Sequence, residues 1–268
     1  MEIIDLAWWK LALTAVLVLA LAGVSLAARL GIARSLLIAG MRTVIQLTLI
    51  GLVLEALFAS SELYWIALMA TVMLLVAGRE VMARQQRRLR GFWAFGIGTG
   101  AMFLSSFTVT VLTLTVVIGP TPWYEPQYAI PLLGMMLGNT MTGVALSLDR
   151  LTESVWSQRA VIENRLMLGE PWRDALEDIR RHAMRSGMMP SINAMAAAGI
   201  VSLPGMMTGQ ILAGSPPAVA VKYQILVMLT ITVGTGFGTL IAVSWGSRRM
   251  FDDRERLRLD RLILQKGR

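Results

Sequence analysis

Polar and charged side chains are scarce inside the long apolar stretches of this sequence, so the few that occur are the first candidates for chemistry. Arg42 and Gln46 stand four residues apart, on one face of a helix, and Asn139 lies well inside another apolar stretch. Because such groups are costly in a bilayer, they indicate a functional role. Two alternatives stay open: Arg42 could extend to the lipid headgroups, and Asn139 could hydrogen-bond a helix that packs on Gly134 and Gly138.

A second candidate is an interruption in the apolar stretch at residues 188–213, where residues 202–209 have the sequence SLPGMMTG. Proline removes a backbone donor and glycine loosens a helix. Broken helices at mid-membrane depth often mark transport sites, although a plain helix kink is the competing interpretation. The residues that we expect along a substrate path are Arg42, Gln46, Asn139, Pro204, Gly205, Met206, Met207, Tyr223 and Gln224.

The other residue types that could do chemistry are limited. The sequence has 18 Met, no Cys and one His, His182. Thioethers suit Cu(I), but they also pack adaptably; the lack of Cys and of His inside the apolar stretches favours packing, and metal binding stays open. Zinc hydrolases and enzymes with Cys or Ser/His/Asp nucleophiles lack their residues. Because no GxxxxGK[ST] loop occurs, the chain is not predicted to be an enzyme, and any ATP would be hydrolysed by another chain.

Composition indicates the elements that must position these residues. The chain of 268 residues is 55% hydrophobic and 16% charged, with a mean hydropathy of +0.61. These values are typical of an all-α polytopic membrane protein. Seven transmembrane helices are predicted at residues 8–28, 36–58, 63–82, 92–118, 129–148, 188–213 and 219–245. They form a single predicted transmembrane domain over residues 1–245.

The distribution of charge predicts the orientation of the chain. The loops after the first, third and fifth predicted spans, together with the tail, hold nearly every Lys and Arg, whereas the other loops carry only Glu62 and Glu125. By the positive-inside rule, the N-terminus faces outward and residues 149–187 and the C-terminus face the cytosol. The net charge of +8 then lies beside anionic lipid, which argues against nucleic acid as a partner. The acidic start at residues 1–5 is unlike a signal peptide, so we expect the first span to be retained.

The longest polar interruption, residues 149–187, is predicted to fold as a helix, a tight turn and a second amphipathic helix. Gly169 can take the positive φ that ends a helix, and Pro171 suits a first helical turn. Glu177 and Arg181 stand four residues apart in the favourable order. Such an element offers a short, rigid projection to a cytosolic partner, although a solvated loop helix explains the pattern equally well.

The C-terminal tail, residues 246–268, is basic with interspersed apolar residues. Those apolar residues include Leu257, Leu259, Leu262 and Ile263. We predict an amphipathic helix at the membrane surface, with partner binding as the alternative.

Several motifs resemble those of the FetB-type permeases. They are residues 130–141, 202–214 and 217–225, and the Arg42–Gln46–Leu47 pattern of the second span. The resemblance implies the membrane subunit of an ABC transporter in the bacterial inner membrane, paired with a separately encoded ATPase that binds ATP and Mg. Bacterial members of that family are linked to iron export, and plant relatives to aluminium tolerance.

Residues 168–172 look like the coupling helix with which such permeases dock into an ATPase. The coupling residues implied by the resemblance are Glu163, Arg165, Leu168, Gly169, Pro171, Trp172 and Asp174. A homodimer that binds two ATPase subunits would form a two-fold pore. Closure of the ATPases would then move the spans between inward-facing and outward-facing states.

Other functions fit the sequence less well. An ion-coupled secondary transporter would need buried carboxylates, yet the acids inside the predicted spans, Glu55 and Glu80, each lie near an end. An intramembrane enzyme lacks a nucleophile–base pair or a metal-ligand set, and a scaffold stays open. The cargo also stays open: Arg42 on the path would repel a metal cation and would suit an anionic nucleotide sugar. The direction of transport is not indicated.

Overall fold

The computed structural model describes residues 7–59 and 62–264, which form two compact units. The first unit contains the described residues up to 59 and the short stretch Leu212–Gly214; the second contains Glu62–Ile211 and the described residues from Ser215 onward. The expected acidic N-terminus at residues 1–5 and the last four residues of the tail lie outside the described residues.

The first unit is a pair of helices, α1 (Trp8–Ala27) and α2 (Ala33–Ala59). Val18 of α1 lies 3.7 Å from the position that a Cβ at Gly40 of α2 would occupy. Most other large apolar side chains of the pair are exposed. Exposed apolar faces of this length suit helices surrounded by lipid.

The second unit contains the other helices and a short two-stranded ladder. Its elements are α3 (Leu63–Arg84), β1 (Arg87–Leu89), α4 (Trp93–Met102), α5 (Thr108–Leu112), α6 (Pro126–Ser157), α7 (Arg159–Met167), α8 (Trp172–Ala175), α9 (Glu177–Ala197), α10 (Gly205–Leu212), α11 (Pro217–Arg249) and β2 (Leu262–Leu264). Two π-helical segments, Phe103–Phe107 and Thr113–Ile118, join with α4 and α5 into one continuous helix.

Within the described residues, six helices are long and apolar enough to cross a membrane, which confirms the polytopic helical class. The stretch predicted as the sixth of seven spans is instead two helices. There α9 ends at Ala197, Gly199 takes a φ of +81°, and α10 begins at Gly205, directly after Pro204. Because the residue before a proline disfavours the helical conformation, the break occurs before Pro204 and not as a kink within a helix.

The core of the second unit forms where α6 packs against α3, α9 and α11. A Cβ at Gly143 of α6 would lie 2.9 Å from the carbonyl oxygen of Gly187 on α9 and 2.5 Å from a methyl group of Thr235 on α11. These contacts show that three helices approach each other at backbone distance, which only small residues permit. Helix α9 is therefore packed into the core at Gly187, while its first half is polar.

The tail differs from the predicted amphipathic helix. Helix α11 continues to Arg249, Phe251 bridges to Leu257, and β2 pairs antiparallel with β1. The sequence at residues 256–259 alternates Arg-Leu-Arg-Leu, a period of two that favours an extended chain over a helix. Leu257 in the bridge to Phe251, Leu259 in a single 3-10 helical turn (Leu259–Arg261) and Leu262 in β2 pack against the core of the second unit.

Candidate functional site

The turn after α7 is closed by a pair of backbone hydrogen bonds that satisfy the end of the helix. Gly169 has a φ of +88°, as its place in the sequence predicted. Its N–H donates to the carbonyl of Leu166 at 3.0 Å, and the N–H of Glu170 donates to the carbonyl of Arg165 at 3.2 Å. This is the Schellman pattern, in which a left-handed residue lets the chain reverse without leaving orphan carbonyls. We call residues 163–174 the polar turn.

The segment after the turn forms two helices, α8 and α9, where a single amphipathic helix was predicted. Pro171 precedes α8 as its cap, with φ −66° and ψ 150°, instead of standing in the first helical turn. Leu176 then interrupts the expected second helix, so that α8 is a single turn and α9 begins at Glu177. Leu176 is fully buried, as its place in the apolar spacing with Trp172 and Ile179 predicts, although the backbone is interrupted there. The predicted ion pair between Glu177 and Arg181 is present, at 2.6 Å.

Arg165 connects the two sides of the polar turn. Its Nε donates to a carboxylate oxygen of Glu170 at 2.6 Å, and its Nη1 donates to the carbonyl of Ala175 at 3.2 Å. Both side chains of the ion pair are only about one third exposed, at 34% and 39%. One guanidinium therefore joins Glu170 in the turn to Ala175 at the end of α8. Arg suits this better than Lys, because its planar guanidinium can donate in two fixed directions.

Trp172 connects the polar turn to the tail. Its backbone N–H donates to a carboxylate oxygen of Glu255 at 3.1 Å. Its ring is 8% exposed and lies 5.4 Å from the ring of Phe251, with the guanidinium of Arg248 5.9 Å from its centroid. Glu255 itself has a φ of +57°. The base of the turn is thus buried against residues that follow α11.

The outer side of the polar turn carries exposed apolar side chains. Met167 and Leu168 are 78% and 84% exposed. A groove of about 610 Å³ lies beside them, and its charged lining residues are Glu163, Glu170, Arg254, Glu255 and Arg256. Together they form an apolar tip flanked by charges of both signs.

A second region lies at the helix break between α9 and α10. A cavity of about 230 Å³ is lined by residues of α6, α9, the break and α11. Its lining residues are Asn139, Ser191, Ala194, Ser202, Pro204, Gln224, Met228, Ile231 and Thr232. We call it the break cavity. Its polar side chains are all neutral amides and hydroxyls, and among the described residues no group of three or more His, Cys, Asp or Glu could hold a metal ion.

Two amides of the break cavity differ in how their hydrogen bonds are satisfied. Asn139 donates to the carbonyl of Met135 in its own helix at 2.8 Å, so among the described residues its bond lies within one helix, and its packing against another helix stays a prediction. Gln224 is 8% exposed, and its Oε1 has no hydrogen-bond partner among the described residues. A buried amide oxygen without a partner costs about 1–3 kcal/mol, which a polar occupant of the cavity would offset.

Comparison with known proteins identifies the family of the chain. The model of the uncharacterised protein family UPF0014 matches residues 8–251. The chain belongs to the UPF0014 family.

Its relatives in this family come from bacteria and plants. The chain is 36% identical over 228 residues to the UPF0014 membrane protein slr1647 of Synechocystis, covering 85% of this chain and 87% of that one. It is 30% identical over 252 residues to the probable iron export permease protein FetB of Escherichia coli, covering 92% and 93%. It is 33% identical over 188 residues to the protein ALUMINUM SENSITIVE 3 of Arabidopsis thaliana, covering 70% and 66%. No solved structure matched the chain.

The resemblance to FetB-type permeases that the motifs indicated is therefore confirmed. Of the predicted path residues of this UPF0014 chain, Asn139, Pro204 and Gln224 line one cavity. Gly205 opens α10 beside it without lining it. Tyr223 is half-buried and does not belong to its lining.

The other predicted path residues lie elsewhere. Met206 packs on a small apolar cluster that includes Leu114, and Met207 is buried. Arg42 and Gln46 are exposed on α2, in the first unit. Met206 thus packs against apolar neighbours, and whether any methionine binds a metal stays a prediction.

Sequence reasoning missed the hydroxyl groups of the break cavity and the anchor in the tail. Thr232 donates to the Sδ of Met195 at 3.2 Å, and it is one of several threonines in residues 230–239 of α11, a polar enrichment that was a usable signal. Glu255 is 83 residues from its partner Trp172, and no local pattern indicates that pair.

Proposed function

We propose that this UPF0014 chain is the membrane permease subunit of an ABC transporter in the bacterial inner membrane, and that a separately encoded ATPase docks on the polar turn. ATP and Mg would bind to that ATPase. The family membership and the relative named as a probable iron export permease support the permease role. In this proposal the chain itself performs no chemical reaction.

The observation that carries the proposal is the construction of the polar turn. A turn that transmits force must resist deformation, and Arg165, Glu170 and Glu255 connect it to α8 and to the tail by direct hydrogen bonds. At its tip Leu168 is 84% exposed. A large apolar side chain held out on a stiff support suits insertion into a partner groove, in the way that interface anchors usually do.

The assembly and the orientation are part of the same proposal. Two copies of the chain would form a two-fold symmetric pore, each copy presenting its polar turn to one ATPase subunit on the cytosolic side. The basic residues around α3, β1 and the tail favour that orientation by the positive-inside rule. Closure of the ATPases would then push the two polar turns together and rearrange the helices that line the pore.

For the cargo, we propose an exported metal ion of the iron type, because the Escherichia coli relative carries that name. The break cavity favours a second candidate. Its neutral amide and hydroxyl groups and its unpartnered Gln224 oxygen suit a non-metal cargo that is bound by hydrogen bonds, such as the sugar part of a nucleotide sugar, whose diphosphate would need cationic groups outside this cavity. Stimulation of ATP hydrolysis by iron ions or by nucleotide sugars, in vesicles holding both subunits, distinguishes the two.

Docking is tested by placing a charge at the tip of the polar turn. Leu168→Asp should abolish co-purification with the separately encoded ATPase, because an unpaired carboxylate would be buried in the partner groove. Val161→Asp introduces the same charge at an exposed apolar residue of α7, away from the tip, and should leave co-purification intact. Co-purification of Leu168→Asp at the wild-type level, or transport by the chain without any ATPase, would overturn the proposal.

A further inference from the structure

A basic cleft lies between the start of α4, the end of α11 and the tail, apart from both the polar turn and the break cavity. The cleft has a volume of about 570 Å³, and its lining includes Trp93, Trp245, Arg248, Arg249, Asp253 and Arg261. A narrower cavity of about 180 Å³ shares Trp93, Arg249 and Arg261 with it and adds Arg90. The two cavities bring four guanidinium groups to one place.

Three carboxylates line the two cavities, and two of them are paired with arginines outside the lining. Asp252 accepts hydrogen bonds from the backbone N–H and the side chain of Arg256, at 2.9 Å each. Asp260 is paired with Arg258 at 2.8 Å. The remaining acid, Asp253, is fully exposed and only 3.4 Å from Arg248, a contact that water weakens. The arginines that line the cleft therefore keep an excess of positive charge.

Two of these arginines are held in place mainly by contacts other than ion pairs, although Arg261 also interacts electrostatically with Asp260. The guanidinium of Arg249 lies 4.3 Å from the centroid of the Trp93 ring, and within the described residues Arg249 has no carboxylate partner. Arg261 donates from Nη1 to the carbonyls of Arg249 and Phe251, at 2.8 and 3.1 Å. Aromatic stacking and carbonyl contacts orient a guanidinium but leave its charge and its other donors for an anion. Planar donors positioned in this way match the oxygens of a phosphate.

The cleft lies at the ends of two helices that can cross the membrane. Helix α11 ends at Arg249, and the continuous helix Trp93–Ile118 begins at Trp93. Trp93 and Trp245 are 52% and 43% exposed. Exposed tryptophans at the ends of spans are typical of the headgroup layer. We propose that the basic cleft binds a phosphate group at the membrane surface, with Arg249, Arg261 and Arg90 as its ligands.

The phosphate can come from an acidic phospholipid headgroup or from the aqueous layer, and the test separates these sources. The purified, delipidated full chain is titrated in detergent with dioleoyl phosphatidylglycerol, with dioleoyl phosphatidylcholine or with inorganic phosphate. Native mass spectrometry counts the bound lipid, and the midpoint of thermal unfolding reports stabilisation by any of the three probes.

We expect phosphatidylglycerol to bind and to raise the unfolding midpoint, and phosphatidylcholine, whose phosphate charge is offset by its own choline cation, to do both much more weakly. Arg249→Gln and, separately, Arg90→Gln should each weaken that binding roughly tenfold or more, because each removes a charge-assisted contact. Arg249→Lys should retain part of it, since the charge stays and the planar donors are lost. A shift of the midpoint by inorganic phosphate alone, lost in Arg249→Gln, would assign the same cleft to a soluble anion.

Arg34→Gln is the matched control. Arg34 is an exposed arginine near one end of another span, and its substitution removes the same charge. Equal weakening by Arg34→Gln and Arg249→Gln would show general attraction of a basic surface and would overturn the proposal. So would binding of phosphatidylcholine as tight as that of phosphatidylglycerol, or binding of every probe unchanged in both Arg249→Gln and Arg90→Gln. No outcome depends on an ATPase, so the test is independent of the proposed transport function.

Discussion

The polar turn and the break cavity are both interruptions of a helical chain, but they are stabilised in opposite ways. In the polar turn the reversal at Gly169 is closed by two backbone bonds, and Arg165 and Glu255 add side-chain bonds to distant parts of the unit. At the break cavity Asn139 bonds within its own helix and the Oε1 of Gln224 has no partner among the described residues. The comparison teaches that the first interruption is built to keep its shape, whereas the second leaves polar groups for new contacts, as a site that changes partners requires.

The largest effect is expected from removing the anchor of the polar turn. Trp172→Ala should lower local stability by about 3–5 kcal/mol, because a buried aromatic side chain and its contact with Phe251 are lost. Hydrogen exchange measured over residues 170–176 and 250–258 should rise steeply. Trp123→Ala is the control, since Trp123 is exposed in a loop. If both variants exchanged like the wild type, the contrast between a stiff turn and a yielding cavity would not hold.

The conformation of Gly169 provides the second-largest effect. A residue with a Cβ at a φ of +88° costs about 1–2 kcal/mol, and a β-branched one costs more. No atom stands within 4 Å of the added Cβ, so the penalty comes from the backbone and not from a collision. Gly169→Val should therefore reduce the stimulation of the partner ATPase by cargo, whereas Gly169→Asn should retain most of it, because asparagine tolerates the left-handed conformation.

Equal ATPase stimulation in Gly169→Val and in the wild type would show that the turn does not couple the subunits. Equal loss in the Val and Asn variants would instead indicate that glycine is needed for close approach of a partner. The measurement is made in vesicles that hold both subunits, with the amount of assembled complex matched between variants.

These regions also show how far the sequence could predict the molecule. Apolar runs located the spans because length and hydrophobicity alone decide whether a helix can cross a bilayer. Gly169 and Pro204 were correctly associated with a turn and an interruption, since their backbone properties are local. The tail was predicted wrongly: it was assigned to a helix, although the alternation of charged and apolar residues after Glu255 fits the extended chain that pairs back with Met250 and Phe251.

The candidate site was predictable to the extent that its determinants are local. Asn139, Pro204 and Gln224 were singled out as polar or helix-breaking residues in apolar stretches, and they line one cavity. Ser191 and Thr232 were not, because serine and threonine are common in membrane helices and only packing decides which face a cavity. Glu255 could not be found from the sequence, since its role depends on a contact across 83 residues.

The third prediction compares the two regions directly through buried glutamines. Gln224→Leu should leave the stability of the fold unchanged or raise it slightly, by about 0–1 kcal/mol, because it removes a buried oxygen that has no partner. Gln85→Leu should lower stability by about 1 kcal/mol, because the Nε2 of Gln85 donates to the carbonyl of Val81 at 3.2 Å. Thermal unfolding of the two variants in detergent measures the difference, and a transport assay should show loss of activity only for Gln224→Leu.

Destabilisation by Gln224→Leu to the same degree as by Gln85→Leu would show that the Gln224 amide is part of the fold. The break cavity would then resemble the polar turn in its bonding, and its role as a cargo site would lose its main support.

The smallest effect concerns pH and the tail that supports the polar turn. The backbone N–H of Arg256 donates to Asp252 and, with the Arg256 side chain, holds the pKa of that carboxyl below its ordinary value of 3.8. The side chain of Arg258 likewise lowers the pKa of Asp260. A carboxyl whose pKa is lower in the folded state contributes stability that is complete above its unfolded pKa and is lost as the pH falls through its folded value.

Hydrogen exchange of residues 250–258, corrected for intrinsic rates, should therefore be the same at pH 7 and pH 5. Asp252→Asn should raise the exchange of those residues already at pH 7. A loss of protection in the wild type between pH 7 and pH 5 would instead show that some other group secures the tail. The stiffness of the polar turn would then depend on a contact outside the Asp252 loop.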